Sequence, residues 1–170
     1  MEKTKKIGID ARFFGPKDKG FGRYVENLIE NLEIIDKVNQ YFIFLNEERA
    51  KEYVPGNPNF RKILINYGSL WPFKTDKRMG DWELDVMHFT CLPPPLFYNR
   101  KFILTMHDMT WRIFPPFKNS PKRLIYSIVF KRAIERAEKI ISVSEYTKKD
   151  ILKFYKINPQ KIEVIYEGVS

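Results

Sequence analysis

The chain has 170 residues, enough for one domain that buries its own core, and its 44% hydrophobic and 15% aromatic content excludes a disordered polypeptide. Thirty lysines and arginines against 21 acidic residues leave a net charge of +9, which favours an anionic partner such as nucleic acid, lipid headgroups or a phosphorylated substrate. The single cysteine, Cys91, excludes an internal disulfide, and no stretch reaches the roughly 18 apolar residues of a bilayer span, so the sequence reads as cytoplasmic, at most associated with a membrane surface.

The amino terminus has no apolar run of signal-peptide length. Ile7 to Phe14 suits a short buried strand. A loop with Gly15, Gly20 and Gly22 follows, then Arg23-Tyr24 and an apolar series, Val25, Leu28, Ile29, Leu32 and Ile35, spaced as one face of a helix. The first N–H groups of a helix lack partners within it, and glycines let a ligand approach the backbone closely. With the charge of Arg23 beside them, Gly20 and Gly22 suit a phosphate or carboxylate. A flexible connector is the plainer alternative. The dinucleotide fingerprint does not fit, because its third glycine would fall at Val25.

Tyr41 to Leu45 predicts a second buried strand, Glu47 to Tyr53 a brief helix stopped by Pro55-Gly56, and Lys62 to Asn66 a third strand. Leu70 to Gly80 reads as loop and short helix. Leu84 to Thr90 predicts a fourth strand that delivers His88 and Thr90 and is ended by Pro93-Pro94-Pro95. Phe102 to Met106 is a fifth, leading to His107-Asp108. Ser120 and Pro121 open a helix as N-cap and first residue, with Leu124, Ile125, Ile128, Ala133 and Ala137 along its apolar side. Lys139 to Val143 predicts a sixth strand. Ser144 then caps a helix with Glu145 in its first turn, and Ile162 to Ile165 is the last strand.

Alternating strands and helices with short connections predict an α/β fold: an open, doubly wound parallel sheet with helices on both faces and right-handed crossovers. Ligands of such sheets bind outside the carboxyl ends of the strands. The Gly20 to Arg23 loop, His88, His107 with Asp108, and Ser144 with Glu145 would all gather there. His107 is the sharpest candidate, since imidazole donates, accepts or takes up a proton near neutral pH. A histidine bonded to a loop carbonyl and an aspartate capping a turn remain the alternatives, and His88 suits the core as well as a site. No metal-ligand spacing links His88, Cys91, His107 and Asp108, and Cys91 sits in no nucleophile motif. Nothing in the sequence demands a metal or cofactor.

Trp71, Trp82, Trp111, Phe114 and Phe117 suit core packing better than a sugar or lipid groove. Lys122, Arg123, Lys131 and Arg132, beside Ile125, Tyr126, Val129 and Phe130, form either a solvated helix face or a basic face for anionic lipid. On charge alone, a non-enzymatic nucleic-acid-binding domain is the rival, although no recognised motif of that class occurs.

One ordered series is more specific. Ile7-Gly-Ile-Asp, Gly20-Phe-Gly-Arg-Tyr24 with a following Asn-Leu, Asp85-Val-Met-His-Phe89, His107-Asp108, Ala137-Glu-Lys-Ile-Ile-Ser-Val-Ser144 and Lys161-Ile-Glu-Val-Ile-Tyr-Glu-Gly-Val169 resemble group 1 (GT4) glycosyltransferases of the GT-B fold, most of all mannosyltransferase-type members. The resemblance spans nearly the whole chain. It implies an amino-terminal, acceptor-side Rossmann-like domain over residues 1–170 of a retaining enzyme that moves a hexose from a nucleotide sugar to a glycan or lipid-linked acceptor. It also implies that Gly20, Gly22 and Arg23 contact ligand near the donor phosphates, that His107 approaches the transferred sugar with Asp108 supporting its loop, and that Ser142 and Ser144 line the cleft wall. Two departures stand out. Tyr166-Glu167-Gly168-Val169-Ser170 replaces the usual Pro-Asn-Gly-Val-Asp, and the carboxyl-terminal nucleotide-sugar domain is not in this sequence, so the chain alone is expected to be nearly inactive.

Overall fold

Unbroken apolar runs become strands buried on both faces. They are β1 (Lys6–Asp10), β2 (Gln40–Leu45), β3 (Phe60–Leu64), β4 (Val86–Phe89), β5 (Phe102–Met106), β6 (Lys139–Ser142) and β7 (Ile162–Val164). In the computed structural model, which describes residues 3–66, 82–113 and 122–168, these form one seven-stranded sheet in the order β3-β2-β1-β4-β5-β6-β7. Every neighbouring pair is parallel. The expected α/β, doubly wound, Rossmann-like class is therefore the observed one.

The helices are α1 (Lys19–Ile35), α2 (Glu47–Ala50), α3 (Thr110–Ile113), α4 (Lys122–Arg136) and α5 (Glu145–Phe154). On one face of the sheet, Ile9, Ile43 and Leu45 pack under Val25 and Ile29 of α1. On the other, Met87, Phe89, Leu104 and Ile140 pack with Phe130 and Ile134 of α4 and Ile151 of α5. None of the described helices is long and apolar enough to cross a membrane.

Three expectations need correction. First, α1 begins at Lys19, so Gly20 and Gly22 lie in its first turn and not in the loop before it. The chain breaks earlier, at Gly15 with φ 85° and a 3-10 turn over Pro16–Asp18. Second, β3 starts two residues before Lys62, because Phe60 pairs with Tyr41 and stacks on its ring at 4.3 Å. Third, Ala133 of α4 and Ala137 just past its end are buried as expected, together with Val129, Phe130 and Ile134, whereas Leu124 and Ile128 are exposed. The expected face therefore holds in the second half of the helix and fails in the first, where Leu124 and Ile128 point outward. A further short helix, α3, has no signal of its own in the sequence. The expected elements at Leu70 to Gly80 and the Ser120-Pro121 cap, like Trp71, Phe114 and Phe117, lie outside the described residues. Trp111 stacks on Phe130 at 4.0 Å and Trp82 packs on the same core, as the core reading had it.

From β1 the chain moves outward to β2 and β3; from β4 it moves the other way to β5, β6 and β7. The winding direction reverses between β1 and β4, which opens a crevice beyond their carboxyl ends. Thr90 closes its floor by donating its hydroxyl proton to the Asp10 carbonyl at 2.6 Å. Beside it, the buried Arg12 guanidinium forks onto the Asp10 carboxylate, with Nε at 3.0 and 2.9 Å from the two oxygens.

Candidate functional site

The connection from β1 to α1 is pinned from outside the sheet. Phe14 packs against Tyr53 at 5.3 Å, Arg49 reaches Asp18 at 2.7 Å, and Lys17 reaches Glu52 at 2.7 Å. Asn46 caps α2 by accepting from the Arg49 N–H at 2.8 Å, which holds Arg49 in place to do so. The loop then enters α1 through Lys19 at φ 54°, a backbone region costly for a residue with a side chain. A Cβ on Gly22 would lie 1.8 Å from the Gly15 carbonyl oxygen, so Gly22 is a close-packing glycine. Gly20 has nothing within 4 Å of its Cβ position. Asp18 makes no side-chain capping bond, and the Lys19 N–H donates to the Pro16 carbonyl, so no side chain covers the first turn of α1 beside Gly20.

Two grooves meet there. One, of about 360 Å³, is lined by Asp18, Lys19, Gly20, Phe21, His107, Val143 and Glu167; the other, of about 860 Å³, by Gly20, Arg23, Tyr24, Asn27, Tyr166 and Glu167 among others. Gly20 and Glu167 belong to both, so Arg23 and His107 stand on one rim. Arg23 is exposed, and among the described residues no carboxylate pairs with its guanidinium.

His107 leaves β5 and turns its ring over the crevice. Its Nε2 is 2.9 Å from the Thr90 carbonyl oxygen and its Nδ1 is 2.9 Å from Glu167 Oε1. Both partners present acceptor oxygens to the ring. Phe21 and Tyr24 pack edgewise on the ring at 4.9 and 4.8 Å. Behind it, Thr147 of α5 donates to the His107 carbonyl at 3.0 Å, and the Ser144 hydroxyl donates to Thr147 Oγ1 at 3.1 Å.

The other predicted residues do different work. His88 is buried and pairs through Nε2 with Thr105 Oγ1 at 2.8 Å. Burial drives its imidazole down to about 4, against a partial opposing pull from Asp10. It faces the interior and not a groove. The Asp108 carboxylate accepts from the Thr110 N–H at 2.7 Å and so fixes the start of α3. Ser144 Oγ accepts from the Thr147 N–H at 3.1 Å as the helix cap, and the buried Ser142 hydroxyl donates to the Ser144 carbonyl at 2.8 Å. Glu145 lines a separate hollow with Lys148 and Glu163, away from His107. The Cys91 thiol lies 3.8 Å from His107 Nε2, and burial pushes it up to about 12, which keeps it a thiol. Among the described residues no group of three or more His, Cys, Asp or Glu side chains is arranged to hold a metal ion.

Sequence reasoning missed three participants. Glu167 lies 60 residues from His107, and nothing local marks it as a partner. Thr105 is a polar interruption in an apolar strand, a signal that was there to be read. Tyr24 was visible beside Arg23, but its hydroxyl contact was not.

The same rim falls within a recognised family pattern. The model of Glycosyltransferase Family 4 matches residues 18–170, from the entrance of α1 to the end of the chain. No curated protein matches the chain. The chain therefore belongs to Glycosyltransferase Family 4, as a glycosyltransferase-type domain whose parallel sheet has the Rossmann-like architecture of the amino-terminal half of a GT-B fold.

Proposed function

We propose that this domain holds the acceptor in a retaining hexosyl transfer and presents His107, Arg23 and the first turn of α1 to a nucleotide-sugar donor. The observation that carries this reading is the shared rim: a first turn of α1 without a side-chain cap, a guanidinium that no carboxylate among the described residues pairs, and an imidazole border two grooves that share Gly20 and Glu167. Cleaving a sugar–diphosphate bond places negative charge on the leaving oxygens, and positive groups fixed in advance lower that barrier. Nε2 of His107 is committed to the Thr90 backbone, so Nδ1 is the nitrogen that meets a ligand, in exchange for Glu167. The larger groove, with Asn27 and Tyr166 on its wall, suits a glycan or lipid-linked acceptor, since amides bond sugar hydroxyls and an aromatic face stacks on the ring. Mannose is the hexose favoured by the motif series. A donor domain, supplied by further chain or by a partner, provides most of the nucleotide contacts, and this chain alone transfers negligibly.

Calorimetric titration with inorganic pyrophosphate tests the anion rim. Arg23→Ala and His107→Ala each weaken binding about tenfold, the loss expected of a charge-assisted hydrogen bond. Unchanged affinity in both variants would overturn the assignment.

The outer face of α4 supports peripheral contact with anionic membrane, because exposed Leu124 and Ile128 stand beside exposed Arg123 and Lys131. Co-sedimentation with phosphatidylglycerol vesicles but not phosphatidylcholine vesicles is the expected result. Equal partition, or none, removes this second reading.

A further inference from the structure

We propose that Tyr24 is the positioning residue for His107, anchored to the sheet by a buried hydrogen-bond chain through Thr105 to His88. The proposal rests on the role given to His107 above. Phe21 and Tyr24, three residues apart on α1, meet the imidazole from one side with interplanar angles of 62° and 89°. Phe21 is 44% exposed, and its ring has no polar atom by which to be held. Tyr24 is different. Its hydroxyl lies 3.0 Å from Thr105 Oγ1, which lies 2.8 Å from His88 Nε2. Thr105 is fully buried and His88 is 5% exposed, so water does not compete for these bonds.

The Thr105 hydroxyl has one proton, so the chain runs in one sense at a time. Either Tyr24 donates to Thr105 and Thr105 to the Nε2 lone pair, or the Nε2–H donates to Thr105 and Thr105 to the phenol oxygen. In both senses the Tyr24 ring is referenced to β4 and β5 and not only to its own helix. His107 then keeps its orientation when a ligand takes Nδ1 from Glu167. The Thr90 carbonyl fixes one edge of the imidazole, and Tyr24 fixes its plane.

Tyr24→Phe removes the anchor and keeps the ring, Thr105→Val removes the relay, and Thr105→Ser preserves it. The sequence contains two histidines, so comparing long-range 1H–15N spectra of the wild type and His88→Gln assigns the His107 ring signals. Tyr24→Phe and Thr105→Val are expected to shift and broaden the His107 ring signals while the backbone spectrum stays folded, and Thr105→Ser to retain them. Pyrophosphate affinity falls about fivefold in the first two variants, the equivalent of one hydrogen bond. Where Thr105→Val fails to fold, Tyr24→Phe decides, because it leaves the Thr105–His88 pair intact. His107 signals in Tyr24→Phe superimposable on those of the wild type overturn the proposal. A shifted His107 in a protein whose wild type binds no pyrophosphate upholds the positioning role and overturns the anion-binding role instead.

Discussion

Acid should destabilise this protein through His88, by an amount that follows from its burial. The imidazole has an ordinary value of 6.5 in the unfolded chain and about 4 in the folded one. Between those limits the unfolded chain binds a proton that the native interior refuses, so stability falls as pH drops and the fall ends once native His88 itself protonates. At about 1.4 kcal/mol per pH unit, the whole gap is worth about 3 kcal/mol. His88→Gln keeps a group able to bond Thr105 and cannot take up this proton. Urea unfolding, followed by tryptophan fluorescence at intervals from about pH 7.5 to pH 4, should show the wild type losing about 3 kcal/mol more than His88→Gln. Parallel loss of stability in the two proteins would refute the reasoning, because it would mean that the proton at position 88 is no harder to add when the chain is folded.

Three further outcomes are expected. Gly22→Ala drives a methyl group into the Gly15 carbonyl and should cost about 3 kcal/mol, seen as a Tm lower by about 10 °C. Gly20→Ala meets nothing and should leave Tm unchanged or slightly raised, so the reverse ranking would contradict the placement of both glycines. Glu167→Gln removes the carboxylate that competes for His107 Nδ1, and pyrophosphate should bind about fivefold tighter; weaker binding would make Glu167 a ligand contact and not a competitor. The Cys91 thiol, raised from 9.0 to about 12, should react with iodoacetamide about a thousandfold more slowly in the native protein than in urea, and rapid native alkylation would place it at the surface.

The sheet was legible because parallel strands buried on both faces are written as unbroken apolar runs, and Tyr41 to Leu45 and Phe102 to Met106 were found almost to the residue. Edge strand β3 was read late because its first pair, Phe60 and Arg61, mixes an inward ring with an exposed charge. The start of α1 was hidden for another reason: glycines in a first turn look like loop glycines, and only the distance from Gly22 to the Gly15 carbonyl shows what one of them is for. His107 could be singled out from its place just past a strand. His88, on the strand beside it, could not be told from a site residue, because the partner that satisfies it, Thr105, lies on the neighbouring strand. Asp108 followed its plainer alternative and became a cap.

The position of β1 in the middle of the sheet has a consequence for how the protein is made. Its partners on one side, β2 and then β3, emerge from the ribosome soon after it, but the strand that covers its other flank ends at Phe89. Until that residue is synthesised, the nascent chain carries a bare row of amide and carbonyl groups along Ile7 to Asp10, and contacts this far apart in sequence form slowly. Slower elongation would lengthen this exposure and with it the time in which neighbouring unfinished chains clump along the open edge.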